Sequence, residues 1–211
     1  VKSSKGIDGL LDYNQTDLEE AADKPKLIGD ILTHWRKLAA GKQTVVFATS
    51  IAHSKHITEQ FQAAGVRAEH IDYWADDDER AAILGRFSRG ETMVLSNVAL
   101  LSEGWDCPAC EVMILARPTR SLIRFIQMVG RVLRPADGKT KALLLDHSGS
   151  TARLGHPCDD LPLELDDGKP KASGKHEKQE RRESLPKPCP SCKFMRSAGV
   201  HACPKCGFAP E

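Results

Sequence analysis

No apolar run in the 211 residues approaches the roughly 20 that a membrane-spanning helix needs. The opening stretch, VKSSKGIDGLLDYNQ, holds no apolar segment of the secretory type. Both absences argue against a membrane partner and point to the cytoplasm. An excess of one charge is missing too: 30 Lys and Arg stand against 29 Asp and Glu, so contact with a polyanion must rest on local features. A disulfide framework is absent, because seven cysteines is an odd number and four of them follow a metal-like spacing, which fits a reducing compartment. No G-x-x-x-x-G-K-[ST] phosphate loop occurs; AAGKQT at 39–44 lacks the first glycine and has Gln43 where a hydroxyl residue belongs. No apolar strand ends in Asp-Glu, and no internal repeat is evident.

What remains is a globular composition, 40% hydrophobic and 28% charged, with room for one ordinary domain and a small appendage. PKLIGDILTHWRKLAA (25–40) carries apolar residues at helical spacing, with Pro25 suited to the first turn and Gly41 to the stop. TVVFAT (44–49) is a short β-branched run that predicts a buried strand. A helix over about 51–64, a strand near 66–71 and a helix ending at Gly90 follow, and then three apolar runs, TMVLS, EVMILA and KALLLD, the last preceded by a helix over about 119–133. Alternating strands and helices predict an α/β fold, a parallel sheet with helices on both faces.

The expected boundaries are a lead-in over 1–24, the α/β domain over 25–156, a charged linker over 157–188 with little to bury, and a small four-cysteine unit over 189–211. In that tail Cys189-Pro-Ser-Cys192 and Cys203-Pro-Lys-Cys206-Gly place four thiolates at the spacing of a tetrahedral Zn²⁺ site. A segment so short lacks an apolar core of its own, so a metal is the natural staple. Cys107-Pro-Ala-Cys110 has no second pair nearby, which favours a structural role over a redox one. Asp76 to Glu79 open a helix, where capping and the helix dipole account for them better than catalysis does.

QMVGRVLRP (127–135) raises the sharper question. At about 100° per residue, Arg124, Gln127, Arg131 and Arg134 fall within an arc of about 80°, opposite an apolar face. The stripe is either a solvated face or a set of guanidinium forks that match phosphate oxygens. SNVALLSEGWDCP (96–108) follows a predicted strand, at the edge where α/β folds place ligands. Its Gly104 and Asp106 suit a ribose hydroxyl, and Ser96 and Asn97 offer donors to a phosphate.

VVFATS, SNVALLSEGWDCP and Gln127-x-x-Gly130-Arg131-x-x-Arg134, in this order, resemble motifs IV, V and VI of the C-terminal RecA-like domain of superfamily 2 helicases. The pattern is closest to RadD-like and prophage DEAD/DEAH-type helicases, in which a four-cysteine tail also follows. The resemblance implies that Arg134 is an arginine finger and Arg131 its partner on the γ-phosphate, positioned with Gln127, while Gly104 and Asp106 lie by the ribose. It implies that Ser50, Ser96 and Asn97 lie near a nucleic-acid backbone, DNA ahead of RNA. ATP and Mg²⁺ would be held mainly by an N-terminal RecA domain of the same protein, since the phosphate loop is missing here. One departure is DYWADD, where Tyr73 and Trp74 stand in place of a smaller, more polar turn. A module that kept the fold for binding nucleic acid or protein, without ATPase activity, is the alternative; restriction-type translocation without strand separation uses the same residues.

Overall fold

The computed structural model describes residues 3–5, 11–98, 100–102, 105–159 and 185–209. Gly104 and most of the expected linker therefore lie outside the described residues. The chain divides into two compact units, Val1–Ser148 and Gly149–Glu211. Among the described residues no helix is long and apolar enough to cross a membrane.

In the first unit a short antiparallel pair, β1 (Ser3–Lys5) and β2 (Leu11–Tyr13), leads into α1 (Gln15–Ala22) and α2 (Pro25–Leu38). Then come β3 (Thr44–Phe47), α3 (Ile51–Ala63), β4 (Ala68–Ile71), α4 (Asp77–Ser88), β5 (Val94–Asn97), a 3₁₀ turn at Leu100–Ser102, β6 (Val112–Leu115), α5 (Leu122–Leu133) and β7 (Leu143–Asp146). β3 to β7 form one parallel sheet in the order β4-β5-β3-β6-β7. Thr44 stands level with both Val94 and Val112, and Val112 with Leu143, so the strands begin in step and their carboxyl ends form one edge.

The central strands β3, β5 and β6 are buried on both faces, which is why β3 and β6 read as largely apolar runs instead of alternating ones, while β5 ends in two buried polar residues, Ser96 and Asn97. On one face Val46, Val94, Val112 and Ile114 pack with Ile31 and Trp35 of α2 and Ile57 and Phe61 of α3. Trp35 and Phe61 meet edge to face at 5.2 Å, and the Trp35 indole N–H donates to Thr44 Oγ1 at 2.7 Å. Right-handed crossovers put α4 and α5 on the other face, where they bury Ile83, Phe87, Phe125 and Val129.

The predicted elements agree with these spans except at two places. The lead-in is structured, with its own strand pair and an α1 capped by Asn14. The stripe helix stops at Leu133, and Arg134 is extended (φ −61°, ψ 136°) because Pro135 disfavours the helical region for the residue before it. Arg134 therefore leaves the helix face on which a wheel places it. Asp76 caps α4 through Glu79 N–H at 2.8 Å, as the acidic run suggested.

The second unit contains α6 (Ser150–Leu154) and the four-cysteine tail, in which β8 (Lys187–Pro188) pairs with β9 (Met195–Arg196). The reading that no repeat exists is corrected here. CPSCKF at 189–194 and CPKCGF at 203–208 make the same turn: Cys189 N–H donates to Phe194 O and Cys203 N–H to Phe208 O, both at 2.8 Å. Lys193 and Gly207 N–H return to the carbonyls of Cys189 and Cys203 at 2.9 and 2.8 Å. Six residues are too few to register as a periodicity, but they suffice to define a turn. Gly207 (φ 73°) suits its left-handed position; Lys193 (φ 61°) holds the same position at a steric cost.

Candidate functional site

Arg131 and Arg134 close on the loop that enters β6. Arg131 Nη1 donates to the Trp105 carbonyl at 3.0 Å, and Arg134 Nη1 pairs with Asp106 Oδ1. Trp105 is a buried anchor, its ring 5.9 Å from that of Phe87. Lys139 ties the assembly together by donating to the carbonyls of Pro108 (2.8 Å) and Arg134 (2.9 Å). The result is a fixed loop beneath two guanidinium groups, with the Asp106 side chain 63% exposed and that of Arg134 39%. Gln127 is exposed on the same helix, and a Cβ on Gly130 would meet nothing within 4 Å. Arg131, Arg134 and Asp106 are thus brought together on an open surface.

Cys107 and Cys110 lie directly beside this loop and are buried. Burial pushes the thiol of Cys110 up to about 12 and raises that of Cys107. Neutral thiols in such surroundings are poor nucleophiles and poor ligands, in line with a structural role. Cys107 carbonyl accepts from Cys110 N–H at 3.0 Å, closing the turn into β6.

Ser50, Ser96 and Asn97 sit at the carboxyl edge of the sheet, and all three are engaged inside the protein. Ser50 caps α3, its Oγ accepting from His53 N–H at 3.2 Å. Asn97 is fully buried; it donates to Val46 O at 2.8 Å and accepts from Leu101 N–H at 3.2 Å, holding the chain that leaves β5. Ser96, also fully buried, meets Ser54 Oγ at 2.6 Å. From there a polar chain runs through His70 Nδ1 (2.7 Å from Ser54 Oγ) and Nε2 to Asp72 Oδ2 (2.9 Å), whose other oxygen accepts from Trp74 N–H at 2.8 Å. Burial raises the Asp72 carboxyl, but the bonds from His70 and Trp74 outweigh it and hold the group below its usual range. This chain fixes the backbone under Tyr73 and Trp74, which stand 70% and 75% exposed with their rings 4.8 Å apart. The two aromatics pack on each other edge to face and otherwise face solvent.

Arg124, on the same stripe as Arg131, has a different partner. Its Nη1 donates to Asp12 Oδ2 at 2.9 Å, and that carboxylate also accepts from Thr119 Oγ1 (3.1 Å) and Arg120 N–H (2.9 Å). Asp12 is buried, so the lead-in is bolted to the start of α5. Nothing in the local sequence around Asp12 marks it; only its tertiary contacts do.

In the tail the Sγ atoms of Cys189 and Cys206 are 3.7 Å apart and those of Cys192 and Cys203 3.6 Å, and all four lie within 4.8 Å of one another. Thiolates about 2.3 Å from a tetrahedral Zn²⁺ are about 3.8 Å apart, so the cluster has the dimensions of such a centre. Backbone N–H groups of Cys192 and Ser191 lower the Cys189 thiol. Burial raises Cys203, but the amides of Cys206 and Lys205 prevail and bring it to about 6. At Cys192 the Phe194 amide lowers the thiol, but burial and the neighbouring cysteines outweigh it and bring it up to about 11, so the knuckle amides favour the ligating form at Cys189 and Cys203.

The helicase conserved C-terminal domain model matches residues 23–136, more than half of the chain. A 51.5 kDa protein of Lactococcus phage (isolate 7-9) is 33% identical over 197 residues, which cover 93% of this chain and 42% of that protein. The putative ATP-dependent helicase IRC3 of Saccharomyces cerevisiae is 31% identical over 119 residues, 56% of this chain and 17% of the relative. This chain spans less than half the length of either. Among solved structures, the fragment of a putative HsdR subunit of a type I restriction enzyme from Vibrio vulnificus YJ016 shares the fold, with a TM-score of 0.56 at 21% identity over 68% of this chain and 30% of that one. On this family match the chain belongs to the helicase conserved C-terminal domain family.

Proposed function

We propose that the chain is the C-terminal part of an ATP-dependent nucleic-acid helicase or translocase acting in the cytoplasm. Its α/β domain over 25–156 completes an ATP site whose phosphate loop and Mg²⁺ ligands belong to an N-terminal RecA domain. One observation carries this reading: Arg131 and Arg134 converge with Asp106 on an exposed surface, fixed from below by Trp105 and Lys139. When ATP is gripped opposite, Arg134 exchanges Asp106 for the γ-phosphate and stabilises the charge that develops there, with Arg131 beside it. Asp106 and Gly104 then serve the ribose, and Gln127 positions the forks. The putative ATP-dependent helicase among the relatives supports ATP as the fuel. Nucleic acid, DNA ahead of RNA, runs along the carboxyl edge of the sheet near Ser50, with Ser96 and Asn97 shaping that edge from within. The experiment is an ATP hydrolysis assay of this chain with and without the first RecA domain added in trans. Activity only in the mixture, raised by nucleic acid, is expected; none in either arm sinks the proposal.

The engagement of both guanidinium groups within the chain favours one second reading, a binding module whose arginines serve only to hold the loop. That module would bind nucleic acid or protein and leave ATP untouched in the same mixture.

The unit over 189–211, joined by the 157–188 linker, takes one Zn²⁺ through Cys189, Cys192, Cys203 and Cys206. The four thiolates would fill a tetrahedral shell, so a metal held by them would brace the two knuckles and supply no chemistry. One equivalent of zinc per chain is the expected result of metal analysis on protein purified without chelator. Near-zero content with the four thiols intact would refute it.

A further inference from the structure

At the carboxyl ends of β3, β6 and β7 lies a cavity of about 170 Å³, roofed by α1 and the first turns of α2. Its walls are largely apolar, with Leu18 and Ile31 on the helices and Ala116 and Pro118 just beyond β6. No Lys, Arg, Asp or Glu lines it among the described residues. His53 contributes a wall and is 1% exposed. Thr49 N–H donates to His53 Nδ1 at 3.3 Å and Thr49 Oγ1 lies 2.8 Å from the same nitrogen; Nδ1 accepts from both when the ring proton is on Nε2, the tautomer that the backbone N–H requires. Nε2 is buried and has no hydrogen-bond partner among the described residues. A desolvated, unpaired donor is rare in folded proteins and points to an acceptor that arrives from outside. Burial brings this imidazole down to about 4 and also lowers that of His147, which lines the cavity together with Ser148, so at neutral pH the cavity presents neutral polar groups and no charge.

We propose that this cavity receives an unstacked nucleobase, whose ring enters between the apolar walls and whose carbonyl or ring-nitrogen acceptor takes the His53 Nε2–H. The inference rests on the helicase reading, which runs nucleic acid along this edge. It goes beyond that reading by assigning a contact to the base and not to the phosphates. Two features select a base. A phosphate gains nothing from an uncharged apolar wall, and a purely apolar side chain would leave Nε2 unpaired. A nucleobase combines a flat apolar body with edge acceptors. The cavity is also tied to the expected backbone contact, since Ser50 caps the helix that carries His53 and accepts its N–H at 3.2 Å. A strand with its phosphates near Ser50 has a base within reach of this opening.

The test compares, by fluorescence anisotropy at low salt, binding of a short oligothymidylate and of an abasic strand of equal length and phosphate count to this chain. The thymine strand should bind about tenfold tighter, the scale of one neutral hydrogen bond plus burial of part of a ring. His53→Phe keeps a ring and loses the donor; Ala22→Leu narrows the cavity and leaves His53 in place. Either change, in protein whose melting shows it folded, should bring thymine binding down to the abasic level without moving abasic binding. Equal binding of the two strands by the wild type overturns the base pocket and leaves the nucleic-acid reading intact. A thymine preference untouched by both variants does the same. No binding of either strand overturns both.

Discussion

Two arginines ten residues apart, Arg124 on α5 and Arg134 just past its end, each pair with an aspartate, and the two pairs do opposite work. Arg124 reaches Asp12, whose side chain is 7% exposed and which also accepts from Thr119 and Arg120. Arg134 reaches Asp106, whose side chain is 63% exposed. A buried carboxylate with three such donors is an anchor, since removing it takes a shared acceptor from groups that lie largely away from water. An exposed ion pair between flexible groups contributes little to stability and is easily exchanged for another anion. The surroundings of the aspartate, and not the arginine, separate scaffold from site.

The largest expected effect lies on the exposed side. In the two-domain enzyme, Arg134→Lys retains the charge and loses the planar fork. Arginine fingers in phosphoryl transfer supply about 10³–10⁵ in rate, so kcat should fall by a large part of that range with a much smaller change in KM. Steady-state kinetics against wild type checks this, and unaltered turnover would return Arg134 to the role of a loop clasp. Arg124→Lys should cost much less turnover, because its partner is the lead-in.

Stability should reverse the order. Asp12→Ala removes the buried acceptor that Arg124, Thr119 Oγ1 and Arg120 N–H share, and should destabilise the first unit by roughly 3 kcal/mol. Urea unfolding, with m unchanged, is the measurement. Asp106→Ala in the same assay should cost less than about 1 kcal/mol. Comparable losses for the two aspartates would erase the distinction drawn above.

Much of this fold was legible in the sequence, and the exceptions share a cause. The helix that became Pro25–Leu38 and the strand that became Thr44–Phe47 announce themselves because burying one stripe or a whole strand leaves a periodic trace. Asp12 left none: it belongs to a three-residue strand, and its meaning lies in contacts with residues 119, 120 and 124. Ser96 and Asn97 looked like surface donors, yet the centre of a parallel sheet buries them and satisfies them internally. Arg134 was placed on a helix face by a wheel that took no account of Pro135. His53 read as one more residue of a helix, and only the Thr49 contact shows which of its nitrogens is left over. Periodicity reports burial of elements; it carries no information on which polar groups are already satisfied.

The smallest expected effect concerns salt. Double-mutant cycles, Arg124→Met with Asp12→Ala and Arg134→Met with Asp106→Ala, would isolate the two coupling energies in this chain. For the exposed pair the coupling should be a few tenths of a kcal/mol at low salt and should vanish near 1 M, where the screening length is about 3 Å. The Arg124–Asp12 coupling should change little over the same range, because a carboxylate that is only 7% exposed sees few mobile ions. If salt erased both couplings equally, Asp12 would be hydrated in solution and the anchor would be an exposed ion pair like the other. A coupling at Arg134–Asp106 that survived high salt would mean a rigid clasp. Such a clasp would resist the exchange of Asp106 for a phosphate on which the catalytic reading depends, and would favour the module.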